Sequence, residues 1–96
     1  MIPYGKHHIE EDDIQAVVNV LKSGILTQGP AVEAFESAVA QYVGAKYAIA
    51  VSSGTAGLHL AAIAAGLGPG QKLITSPITF VASANAGSYV GADVVL

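Results

Sequence analysis

The chain has 96 residues, 52% of them apolar and only 11% charged, with a formal net charge of −3. So apolar a composition excludes disorder, and four Lys with no Arg give no electrostatic footprint for nucleic acid. The absence of Cys removes disulfides, thiolate metal sites and Cys nucleophiles together.

Glu10 to about Ser23 is predicted to be an amphipathic helix, because Ile14, Val17, Val18 and Leu21 follow the i, i+3, i+4, i+7 spacing. Glu10, Glu11, Asp12 and Asp13 sit at its start, where carboxylates suit the positive end of the helix dipole, and Gly24 suits a C-cap. A loop from Ile25 to Gly29, polar over Thr27-Gln28-Gly29-Pro30, leads to Pro30, a favoured residue for a first helical turn. Val32, Phe35, Val39 and Val43 form the apolar stripe of that second helix, and Gly44 ends it. Charge then almost disappears: nine of the eleven charged residues precede Tyr47, and only Lys72 and Asp93 follow it.

The run Tyr47 to Val51 is continuously apolar and is expected to be a strand buried on both faces. Ser52-Ser53-Gly54 is a turn, Thr55 to about Ala65 a helix, and Gly66-Leu67-Gly68-Pro69-Gly70 a breaker cluster. Leu73 to Thr75 is expected to be a second strand, Phe80 to about Tyr89 a helix ended at Gly91, and Val94 to Leu96 a third strand. The fold class is therefore α/β: two helices in 1–46, then β-α-β-α-β in 47–96 with parallel strands. The helix from Thr55 is apolar on every face except at His59, so it is expected to be buried all round. A three-stranded sheet cannot achieve that alone, which implies more chain or a partner. The longest apolar stretch, Ala56 to Leu67, is too short for a membrane span, which needs about 18–20 residues. Met1 to Asp13 is polar and acidic, unlike a signal peptide. These features point to a cytoplasmic protein with no membrane partner.

Ser52-Ser53-Gly54-Thr55-Ala56-Gly57 joins the first expected strand to a helix N-terminus. Such a junction offers free N–H groups and a favourable dipole to an anion, typically phosphate. The other reading is a Ser/Thr N-cap of an ordinary crossover helix, a common turn. Phe80 follows the next strand, at the carboxyl edge where ligands gather in parallel sheets. It could stack on a planar ligand or act as a hydrophobic staple. His7 and His8 are adjacent and point apart, so they form no metal site. His59 reads as a packed histidine rather than a base.

Ile2-Pro3-Tyr4-Gly5, Leu26-Thr27-Gln28-Gly29-Pro30, Phe35-Glu36, Ser53-Gly54-Thr55-Ala56, Gly68-Pro69-Gly70 and Thr79-Phe80-Val81-Ala82-Ser83-Ala84-Asn85 occur in this order. Together they resemble the opening of the DegT-type sugar aminotransferases. These are fold-type I, pyridoxal-phosphate enzymes acting on nucleotide-linked keto-sugars. The Pro77-Ile78-Thr79-Phe80-Val81-Ala82 version is similar to members that serve pseudaminic acid biosynthesis with glutamate as amino donor. The resemblance implies that Thr55 and Ala56 bind the phosphate of pyridoxal 5′-phosphate and that Phe80 stacks on its pyridine ring. It also implies that Tyr4, Gly24, Ile25, Leu26, Thr27 and Gly54 line the nucleotide-sugar site, and that the enzyme is a homodimer with shared active sites. None of Lys6, Lys22, Lys46 and Lys72 falls at the position of the family's Schiff-base lysine, so the resemblance assigns this chain the N-terminal portion, inactive alone. The alternative is a stand-alone phosphate- or nucleotide-binding module without catalysis.

Overall fold

A computed structural model describes residues 5–96. The chain divides into two compact units, Met1–Ala50 and Val51–Leu96. The first contains α1 (Glu11–Lys22) and α2 (Pro30–Val43). The second contains α3 (Gly54–Ala64), β1 (Lys72–Ile74), α4 (Ala82–Tyr89) and β2 (Asp93–Val95).

The first unit follows its sequence signals closely. Asp13 Oδ2 accepts the Glu10 N–H at 2.9 Å, satisfying one donor at the head of α1. Glu11, Asp12 and Asp13 lie in the first turn and Lys22 in the last, both favourable to the dipole. The C-cap is Ser23, whose Oγ donates to the Val20 carbonyl at 2.7 Å; Gly24 follows at φ +81°. Gln28 takes a left-handed φ of +48°, and Pro30 then opens α2. A Cβ on Gly29 would stand 2.9 Å from Ile25 Cγ2, so the loop closes only because residue 29 has no side chain.

Helices α2, α3 and α4 all end in one way. The N–H of Ala45 reaches back to the Ala40 carbonyl, that of Leu67 to Ala62, and that of Ala92 to Gly87. The glycine before each of these donors (Gly44, Gly66, Gly91) has φ between +69° and +78°. This is the Schellman arrangement, which only a glycine enters without strain.

The expected strand over Tyr47–Val51 does not form. These residues take no part in a ladder among the described residues, and Tyr47 and Ile49 are exposed. A strand exists only where a neighbour accepts its N–H and C=O groups, which local composition cannot guarantee. The segment is fastened by a side chain instead: the Ala50 N–H donates to Glu36 Oε1 at 2.7 Å. A hydrogen bond to a charged acceptor is worth about 1.5–3 kcal/mol at most, less here because the site is open to water. Glu36→Ala is therefore expected to speed hydrogen exchange at the Ala50 amide several-fold. Unchanged exchange at that amide would mean the contact holds nothing.

In the second unit β1 and β2 pair in parallel, with Lys72 opposite Asp93, Leu73 opposite Val94 and Ile74 opposite Val95. The two charged residues of this half are thus register partners. Bonds from Asp93 N to Gln71 O and from Thr75 N to Val95 O extend the ladder at both ends, each at 3.0 Å. Helix α4 forms the crossover and packs on the strands through Gly87, where an added Cβ would stand 3.0 Å from both Leu73 Cβ and Val94 Cγ2. Its other neighbour is α3, and the rings of His59 and Tyr89 meet across that contact with centroids 5.1 Å apart. His59 is a packed residue, as its sequence context suggested.

The core of this unit is made of small residues: Ala62, Ala82, Ala86, Gly87 and Ala92 are buried. All-round burial of α3 is not met. Ala62 is its one buried residue, and Leu58, Leu60 and Ile63 remain about half exposed. The neighbour that α3 packs against is the short helix α4, which has too little surface to cover its every face. Among the described residues, no helix is long and apolar enough to cross a membrane.

Candidate functional site

The site begins at Ser53. Its backbone is extended (φ −164°), its carbonyl accepts the Gly57 N–H at 3.0 Å, and its Oγ accepts the Ala56 N–H at 3.2 Å. This is an N-cap that satisfies the third and fourth donors of α3. The first two, on Gly54 and Thr55, have no acceptor among the described hydrogen bonds. They remain available at the positive end of the α3 dipole, equivalent to roughly half an elementary charge.

Those two residues line a cavity of about 620 Å³, within the size range of small-molecule sites. Gly57 and Leu58 continue its wall one turn further along α3. Phe80, Ala82 and Ser83, from the turn that opens α4, form the opposite wall. Phe80 is 75% exposed, so most of its ring is free to meet a ligand. No ionisable side chain lines the space. Attraction for an anion must therefore come from the helix terminus itself. A smaller hollow of about 210 Å³ in the first unit is lined by Glu33 and Glu36 with Lys46. Two carboxylates against one ammonium make it unsuited to phosphate.

The larger cavity fits a planar phosphorylated cofactor on three grounds. It has two residues at a helix start whose N–H groups have no acceptor among the described hydrogen bonds, an exposed ring in the same lining, and no carboxylate to repel the anion. A Cβ at Gly54 would meet nothing within 4 Å, so the glycine leaves clear room at the mouth.

Of the residues singled out from sequence, the structure brings Gly54, Thr55 and Phe80 together. Ala56 adjoins them, but its N–H is already held by Ser53. Gly24, Ile25, Leu26 and Thr27 form the exposed loop of the first unit. Tyr4 lies outside the described residues. Gly57, Leu58, Ala82 and Ser83 were not anticipated. The first two were legible in principle, since positions three and four after Gly54 share its helix face.

The chain matches the DegT/DnrJ/EryC1/StrS aminotransferase family over residues 7–96, and it belongs to that family. It is 48% identical over 94 residues to the spore coat polysaccharide biosynthesis protein SpsC of Bacillus subtilis, covering 98% of this chain and 24% of that protein. It is 44% identical over 95 residues to the UDP-4-amino-4,6-dideoxy-N-acetyl-beta-L-altrosamine transaminase of Campylobacter jejuni, covering 98% and 25%. Among solved structures, the aminotransferase from Psychrobacter cryohalolentis superposes with a TM-score of 0.83 at 32% identity, covering 97% of this chain and 24% of that one. NtdA from Bacillus subtilis, with bound cofactor PMP, gives 0.78 at 34% identity, covering 91% and 21%. This chain thus spans about a quarter of the length of the relatives it matches. The fold is that of the N-terminal α/β portion of these enzymes, and the cofactor of the family is pyridoxal 5′-phosphate.

Proposed function

We propose that this chain is the N-terminal portion of an aminotransferase that moves an amino group from glutamate to a nucleotide-linked 4-keto-6-deoxy sugar. The observation that carries the reading is that Gly54 and Thr55, whose N–H groups have no acceptor among the described hydrogen bonds, line one cavity with Phe80. In this reading those N–H groups and the α3 dipole hold the cofactor phosphate. The Phe80 ring lies against the pyridine face and, with Leu58, keeps water from it. When bound, pyridoxal phosphate supplies an electron sink that lets an amino group be taken from one substrate and passed to another.

Tyr4, Gly54 and the loop Gly24 to Thr27 are assigned to the nucleotide-sugar pocket. No lysine lines the cavity, so the Schiff-base lysine is assigned to a part of the enzyme not contained in these residues. By this reading the 96 residues alone are inactive. The complete enzyme is assigned a cytoplasmic location and a homodimeric state with shared sites. The similarity to the Campylobacter transaminase supports an N-acetylated substrate of the pseudaminic acid type.

The test is to incubate the full-length protein with pyridoxal phosphate, glutamate and a UDP-linked 4-keto-6-deoxy-N-acetyl sugar. Formation of 2-oxoglutarate with an equal amount of amino sugar is expected. Release of 2-oxoglutarate with other keto-sugars only would overturn the substrate assignment, and none at all would overturn the activity.

A further inference from the structure

We propose that Thr79 and Ser83 are positioning residues that hold the Phe80 ring at its place in the cavity wall. The inference rests on the reading of Phe80 as the residue that meets the cofactor ring. Phe80 has three-quarters of its surface open, so packing cannot be what fixes it. A side chain with few neighbours is placed by its backbone, and here the backbone is closed twice around it. Thr79 Oγ1 and Ser83 Oγ are hydrogen-bonded at 3.1 Å, bridging the turn from either side of Phe80. The Ser83 N–H donates to the Phe80 carbonyl, also at 3.1 Å. One residue ahead, the Ile78 N–H donates to Ser76 Oγ at 3.1 Å, which ties down the entry to the turn.

The helix that follows gives no further help at this point. Val81, which precedes α4, makes no side-chain cap. The hydroxyl bridge is thus the side-chain tie across this turn, and it sets the direction in which Phe80 leaves the chain. Ser83 itself lines the cavity, whereas Thr79 does not. Any effect of Thr79 on a ligand must pass through the turn.

The test uses the full-length protein and pyridoxamine 5′-phosphate as probe, reading its dissociation constant and the circular dichroism induced in its absorption band. Phe80→Ala is expected to weaken binding about tenfold. Thr79→Val, which keeps the shape and removes the hydroxyl, is expected to weaken it about fivefold and to diminish the induced band. Thr79→Ser restores the hydroxyl and should recover both. With Phe80→Ala already in place, Thr79→Val should add less than about twofold, because two changes acting through one group are not additive. An equal loss from Thr79→Val in both backgrounds, or no loss in either, would overturn the positioning role. Unchanged binding in Phe80→Ala alone would overturn the stacking assignment and this inference with it. A loss in Phe80→Ala with none in Thr79→Val would leave the stacking assignment standing and overturn only the bridge.

Discussion

Gly54→Val in the full-length protein is expected to lose its bound cofactor while keeping its fold. Both halves of that expectation come from one position. A Cβ at residue 54 meets nothing within 4 Å, so the first atom of an added side chain displaces nothing. Valine also has a slightly better helix propensity than the glycine it replaces, so the first turn loses nothing on that account. Yet Gly54 lines the cavity, and its branched replacement would stand in front of the two free N–H groups. Each hydrogen bond from such a group to a charged acceptor is worth about 1.5–3 kcal/mol. Losing both weakens binding by at least about a hundredfold. Thr55→Ala is the matched control. It removes a hydroxyl and leaves the backbone N–H in place, so affinity should fall by less than about fivefold. Equilibrium dialysis with pyridoxamine 5′-phosphate, alongside circular dichroism for the fold, separates the cases. Full occupancy in the Gly54 variant would remove the assignment of the α3 terminus.

Gly87→Val should have the largest effect on stability. Helix α4 approaches the sheet closely because residue 87 is bare. An added Cβ would lie 3.0 Å from Leu73 Cβ and 3.0 Å from Val94 Cγ2. The valine methyl can turn aside, but Leu73 Cβ is fixed to the strand backbone, so the helix must move off β1. Overpacking of this kind costs about 1–3 kcal/mol, and the two further methyls of valine place it at the upper end. The better helix propensity of valine over glycine offsets only a few tenths of a kcal/mol. A urea midpoint lowered relative to wild type, with Gly87→Ala in between, is the expected result. Equal midpoints for all three would mean that α4 does not pack on the strands as described.

Much of this architecture was readable from local chemistry. Helix α1 came within a residue at each end, because its acidic first turn and apolar spacing are properties of the segment alone. Gly44, Gly66 and Gly91 announced the ends of three helices, since a left-handed terminal residue needs a glycine. What failed was the element that depends on distant partners. Tyr47 to Val51 has the composition of a buried strand, but pairing is decided by what lies alongside, and here the segment has no ladder partner among the described residues and is tied to Glu36 at Ala50. The helix expected from Phe80 begins at Ala82 for a local reason that composition hides. The Phe80 carbonyl is taken by the Ser83 N–H, three residues on, so the chain makes a tight turn before the helix proper.

The cavity followed the same division. Gly54, Thr55 and Phe80 were legible because each lies just after an extended or strand segment, where ligand sites gather. Ala82 and Ser83 were not, because their place in the wall depends on how α3 and α4 face one another. The roles of Tyr4 and of the Gly24 to Thr27 loop stand on resemblance alone, since nothing in their local chemistry specifies a sugar.

The most direct measurement is a crystal structure of the full-length protein soaked with pyridoxamine 5′-phosphate. The account predicts the phosphate within hydrogen-bonding distance of the Gly54 and Thr55 N–H groups and the pyridine ring lying against Phe80. A phosphate bound elsewhere, or a pyridine ring out of reach of Phe80, would contradict it.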